Sequence, residues 1–112
     1  MRSTGRMLAE LSVIPLGTGT SLSDELAEIL KLIDASGLPY QLTPSGTCIE
    51  GDWDAVMRVA RQCHDHARSV SAHVITTLMI EDEQGARDKL TANVTSLEER
   101  LGRKLRRTSA AS

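Results

Sequence analysis

The first nonpolar stretch, residues 8–16, alternates in the manner of a strand. Ala9, Leu11 and Val13 fall on one side, and Leu8, Glu10, Ser12 and Ile14 on the other. Gly17-Thr18-Gly19-Thr20 interrupts it as a tight loop. The period then lengthens. Leu22, Leu26, Ile29, Leu30 and Ile33 recur at helical spacing, with Ser21 or Ser23 as N-cap, Asp24 and Glu25 in the first turn, and Ser36-Gly37 as the stop. These five are expected to form the buried stripe of the helix. Leu38, Tyr40 and Leu42 alternate again up to the turn Thr43-Pro44-Ser45-Gly46, and Thr47-Cys48-Ile49-Glu50 continues beyond it. Gly51 and Asp52 open a second helix, with Asp52 as cap, Trp53 in the first turn and Val56, Val59, Ala60, Cys63 and Ala67 inward. Residues 72–81 read as a strand with Ala72, Val74, Thr76, Leu78 and Ile80 on one side. A last helix, from about Ala86 to Leu101, carries Leu90, Val94, Leu97 and Leu101 on one stripe.

The order strand, helix, strand, strand, helix, strand, with one helix added, is the split βαβ pattern. It predicts an α+β, ferredoxin-like βαββαβ sandwich, one domain over residues 7–101 with short flexible termini at 1–6 and 102–112. Two helices cover one face of such a sheet. Ile14, Ile75 and Met79 lie on the other, which makes that face a candidate contact between subunits, against the alternative of scattered apolar residues on a monomer.

Composition narrows the field. Of 112 residues 40% are apolar, Leu, Ile and Val supply 26 of them, Phe is absent, and Trp53 and Tyr40 are the only large aromatics, so one modest aliphatic core is expected. No apolar run reaches the length of a spanning helix, and Met1–Met7 is not followed by a signal-type core, so neither membrane insertion nor secretion is indicated. Cys48 and Cys63 make no disulfide framework, which points to a reducing, cytoplasmic setting. The formal charge of −2 conceals an asymmetry. Residues 7–99 hold all fifteen acids against six bases, about −9, while Arg100, Arg103, Lys104, Arg106 and Arg107 form a basic end. Such a body suits neither nucleic acid nor phosphorylated ligands, whose binding relies on positive surface.

Four segments invite chemistry. Cys63-His64-Asp65-His66 has metal-ligand residues, but successive helical positions lie ~100° apart and cannot converge on one ion, so no metal is expected. Nor does a third group mark a Cys–His nucleophile. Gly17-Thr18-Gly19-Thr20-Ser21 lacks the lysine of a phosphate loop and is followed by Asp24 and Glu25. It fits a loop offering hydroxyls and amides to a neutral or cationic ligand, or a plain strand-to-helix connection. Glu50 near Trp53 can hold an amino-substituted heteroaromatic base, or be an ordinary exposed acid at a strand end. Asn93-Val94-Thr95 is a glycosylation sequon only in form.

Two longer motifs add more. Leu11-Ser12-Val13-Ile14-Pro15-Leu16-Gly17-Thr18-Gly19-Thr20-Ser21-Leu22-Ser23 resembles the opening motif of the small thiamine-binding protein family, formerly a family of unknown function. The segment from Ser36 to Asp54 resembles its second motif, in which a Pro-x-Gly-Thr turn (Pro44 to Thr47) leads to Glu-Gly-acid-Trp (Glu50 to Trp53). The resemblance covers roughly residues 8–100. It implies a ferredoxin-like fold, a homodimer or homotetramer built through sheet contacts, and binding of thiamine (vitamin B1) or its hydroxymethylpyrimidine part without catalysis or a further cofactor. Carried over by motif, it points to Ile14, Pro15, Gly17, Thr18, Gly19 and Ser21, and to Gly46, Thr47, Glu50 and Trp53. Two departures stand out: Ser45 where methionine is expected, and a last strand, His73 to Glu81, without the basic residues the family often carries there.

No basic residue lies between positions 7 and 30, which favours the unphosphorylated vitamin or its precursor. Both loops leave a strand to enter a helix and are expected to converge at one end of the sheet, within one subunit or where subunits meet. Glu50 is then expected to meet the aminopyrimidine. The rivals are an enzyme acting on such a ligand and a structural or regulatory oligomer with a vestigial pocket.

Overall fold

The computed structural model describes residues 6–19, 21–85, 88–104 and 106. The expected flexible termini lie largely outside them, as do Thr20, Ala86 and Arg87. Strand β1 (Met7–Leu16) leads to helix α1 (Leu22–Ala35). A hairpin of β2 (Tyr40–Thr43) and β3 (Gly46–Gly51) follows, then α2 (Trp53–Val70), β4 (His73–Glu81) and α3 (Lys89–Leu101). The strands form one antiparallel sheet in the order β2-β3-β1-β4. With α1 and α2 on one face, this is the ferredoxin-like α+β sandwich.

Alternation in β1 decides which face is dry. Ala9, Leu11 and Val13 are buried against the helices, together with Met7, while Leu8, Glu10, Ser12 and Ile14 point to the second face and keep partial exposure. Val56, Val59, Ala60, Cys63 and Ala67 of α2 are all buried, so the apolar stripe of this helix meets the sheet along most of its length. Ile49 on β3 is completely enclosed between them. The amide N–H of Ala55 donates to the Asp52 side chain at 2.8 Å, which fixes the start of α2. On β4, Val74, Thr76, Leu78 and Ile80 are half-buried toward the helices, whereas Ile75 and Met79 stay 48% and 63% exposed on the second face.

Pro15 sits in a central strand without disrupting it. The β1–β3 ladder ends at the Leu11–Thr47 pair, so beyond that point β1 is an edge on one side and a missing N–H costs no ladder bond there. Ser71 closes the same end, its hydroxyl donating to the Leu16 carbonyl.

Two expected stripes are only partly buried. On α1, Ile29 and Ile33 are enclosed, but Leu22 and Leu26 are 48% and 40% exposed. The helix is held at its C-terminal half, where the Tyr40 hydroxyl donates to Asp34 at 2.9 Å, and its N-terminal half stands off the sheet. On α3, Leu97 and Leu101 are exposed and Glu98 is the buried residue, because this helix lies on the second face and is rotated from the simple apolar reading. Among the described residues no helix is long and apolar enough to cross a membrane.

Candidate ligand-binding site

The stand-off of α1 leaves a cavity of about 660 Å³ between its N-terminal half, β1 and the β2–β3 hairpin. Leu11 and Val13 of β1 lie at its base with Thr47 of β3. Leu22, Leu26, Ile29, Leu30 and Ile33 form the helical wall, and Leu42, Thr43, Pro44, Ser45 and Gly46 form the hairpin wall. Among the described residues no lining side chain is charged. Ser23, Thr43, Ser45 and Thr47 supply hydroxyls at an otherwise aliphatic surface. Such a lining suits a flat, neutral heteroaromatic group, which gains by leaving water and still finds hydrogen-bond partners. Among the described residues it offers no cationic side chain to a phosphate.

Local sequence builds each wall. The Ser21 side chain accepts from the Asp24 N–H at 3.1 Å and fixes where α1 begins. Gly17 and Gly19 have φ of +64° and +80°, a backbone region that side chains disfavour, and they let the chain turn off β1 into that cap. Gly46 serves by closeness, since a β-carbon there would lie 2.7 Å from the Leu11 carbonyl oxygen. The Thr43 hydroxyl ties the turn, donating to the Gly46 carbonyl at 3.0 Å and accepting from the Ser45 N–H at 3.3 Å. Ser45, where the family resemblance leads one to expect methionine, lines the cavity, so the shorter side chain leaves that wall more open and more polar.

The two sequence motifs are therefore brought together only in part. Ile14, Gly46 and Thr47 line the cavity, and Pro15, Gly17, Thr18, Gly19 and Ser21 form the segment leading from β1 to its helical wall. Glu50 and Trp53 do not join them. Because β1 and β3 are antiparallel, the C-terminal end of β3 lies beside the start of β1, with Glu50 opposite Leu8. The Gly17 loop is eight to nine residues further along β1, roughly 26–30 Å at the rise of a strand. Glu50 is also on the other face of the sheet from Thr47. The expected convergence of the two loops thus fails within one subunit, by strand direction. Glu50 is buried, and its carboxylate accepts the backbone N–H groups of Asp88 at 2.7 Å and Leu90 at 3.2 Å. Trp53 opens α2 at that far end, 41% exposed.

The other candidate groups are structural in their surroundings. Cys63 is enclosed, its thiol 3.9 Å from the Ile29 carbonyl, and burial pushes its pKa up to about 11. Burial and the nearby Glu10 carboxylate also raise Cys48. His64 hydrogen-bonds the Thr76 hydroxyl through Nδ1 at 2.7 Å. Sequence reading missed the cavity walls, namely Leu22, Leu26 and Leu42. The signal for Leu22 and Leu26 is an apolar stripe on α1 that extends past what the sheet can cover.

Comparison with known proteins gives the family and supports the fold. The profile of a family described as thiamine-binding protein matches residues 9–98. The chain belongs to that family. A UPF0045 protein of Mycobacterium bovis is 31% identical over 85% of this chain and 94% of its own length. The UPF0045 protein sll0230 of Synechocystis is 36% identical over 65% of this chain, a match that spans 60% of that protein. Among solved structures, a Methanocaldococcus jannaschii family member superposes with a TM-score of 0.77 at 23% identity, covering 84% of this chain and 97% of the other. A Thermotoga maritima protein, whose name suggests a place in thiamine biosynthesis or salvage, superposes at 0.71 with 17% identity, covering 82% and 98%. At these identities the two structures establish a shared fold.

Proposed function

We propose that this thiamine-binding family member binds thiamine, or its hydroxymethylpyrimidine moiety, in the cavity beneath α1, as a cytoplasmic, non-catalytic protein with no separate cofactor. The observation that carries the proposal is the uncharged cavity of about 660 Å³ bounded by residues of both family motifs. The aminopyrimidine ring occupies the aliphatic floor and takes a hydrogen bond from the Thr47 hydroxyl. The cationic thiazolium of the whole vitamin lies toward the N-terminal end of α1, whose first turn carries Asp24 and Glu25. Among the described residues a diphosphate finds no cationic side chain in this lining to offset its desolvation.

The second sheet face supports assembly of copies of this chain, with Ile75 and Met79 exposed beside Ile14. A homodimer or homotetramer formed there would bury them, and this assembly belongs to the same proposal.

Thermal-shift measurements with hydroxymethylpyrimidine, thiamine and thiamine diphosphate test the ligand. A ligand of the native state raises the melting temperature by mass action. The first two compounds are expected to raise it and the diphosphate to leave it unchanged. A shift with the diphosphate alone would overturn the reading, and no shift with any of them would favour a structural oligomer.

A further inference from the structure

Helix α3 lies against β3 and β1 on the second face of the sheet and contributes to neither apolar core cluster. Its buried residue is the polar Glu98, while Leu97 and Leu101 are more than half exposed. A helix of 13 residues is marginal on its own in water, so something other than a dry apolar face must hold this one down.

Polar anchors gather at its first turn. The Glu50 carboxylate, 3% exposed, accepts the N–H groups of Asp88 and Leu90, and the Arg6 guanidinium lies 3.9 Å away. Lys89 reaches Glu81 at 3.4 Å and Glu83 at 2.5 Å, and the Asn93 side chain donates to Glu81 at 3.2 Å. The residue at the N-cap position of α3, Asp88, makes no side-chain capping bond and sits at φ +56°. Glu50, 38 residues earlier, therefore supplies the cap that the local sequence lacks. Two residues on, Asp52 caps α2 on the opposite face. The Glu50-Gly51-Asp52 segment thus holds the first turns of helices on both sides of the sheet.

We infer that α3 is a strap that opens independently of the rest of the fold and is latched to the sheet by the Glu50 carboxylate. While the latch is closed, each Glu50 oxygen accepts a backbone N–H and the carboxylate is 3% exposed, so burial keeps an external amine from it. Opening frees the carboxylate and uncovers the stretch of β1 and β3 beneath the helix.

Hydrogen exchange read by mass spectrometry on the full chain tests this. In the unmodified protein the amides of α3 are expected to exchange faster than those of α2. In Glu50→Gln the amide oxygen keeps one N–H partner, but its NH2 opposes the second donor. Exchange across α3 is expected to rise by roughly ten- to a hundredfold, with α2 and β1 unchanged. Lys89→Met, which removes the pairs with Glu81 and Glu83 at the same turn and keeps helix propensity, is expected to move α3 in the same direction by a smaller factor, and it carries the test should Glu50→Gln not fold. Equal protection of α3 and α2 in the unmodified chain would overturn the inference. So would loss of protection spread evenly over the fold, or unchanged α3 exchange in the folded variants.

Discussion

Replacing Thr47 by valine removes one hydroxyl from the cavity floor and almost nothing else. Thr47 is 6% exposed, sits in β3 opposite Leu11 and Leu42, and lines the cavity. Valine has nearly the same shape and an equal liking for strands, so the cavity keeps its volume and the ladder its register. A neutral hydrogen bond contributes about 0.5–1.5 kcal/mol net, which sets the expected loss of affinity for hydroxymethylpyrimidine at roughly two- to twelvefold. Stability should move by less than about 1 kcal/mol, since no core volume is lost. Calorimetric titration gives the first quantity and urea unfolding the second. Unchanged affinity would remove Thr47 from the site. A large stability loss would show that the hydroxyl belongs to the fold rather than to the ligand.

Three further outcomes follow from the packing. Gly46→Ala forces a β-carbon to within 2.7 Å of the Leu11 carbonyl, so urea unfolding should show a loss of about 1–3 kcal/mol from displaced backbone. Ile75→Asp places a charge on the second face and should convert an oligomer to monomer in light scattering while the subunit stays folded, because Ile75 is 48% exposed there; an unmodified protein that already scatters as 12.1 kDa refutes the assembly. The Cys63 thiol has a pKa of about 11, above the ordinary 9.0, so the unfolded chain loses this proton first. Its contribution to stability is complete below pH 9 and is lost as pH rises toward 11. Unfolding curves between these values should fall more steeply for the unmodified protein than for Cys63→Ala.

The parts of the fold that were legible in the sequence are those where period alone decides burial. In α2 a stripe of five residues meets a sheet that covers it, and all five are buried. In β1 alternation sorts Ala9, Leu11 and Val13 from Glu10 and Ser12 without help from any neighbour. The misses arise where burial depends on which element lies opposite. Leu22 and Leu26 share the stripe of Ile29 and Ile33 but overhang the cavity. Leu97 yields to Glu98 because α3 rests on the second face. Motif order along the chain likewise placed Glu50 beside the Gly17 loop, whereas antiparallel pairing sends them to opposite ends. That separation divides the residues suggested by family resemblance into a group at the cavity and the pair Glu50 and Trp53 at the far end, where Glu50 anchors α3.

Chemical-shift mapping of the isotope-labelled protein with hydroxymethylpyrimidine tests the central claim most directly, because it reports where the ligand sits and not only that it binds. The cavity beneath α1 predicts perturbed amides at Leu11–Ile14, Leu22–Ile33 and Leu42–Thr47, with Trp53 and the amides of α3 unmoved. Perturbations centred on Glu50, Trp53 and the first turn of α3, with the cavity silent, would contradict it.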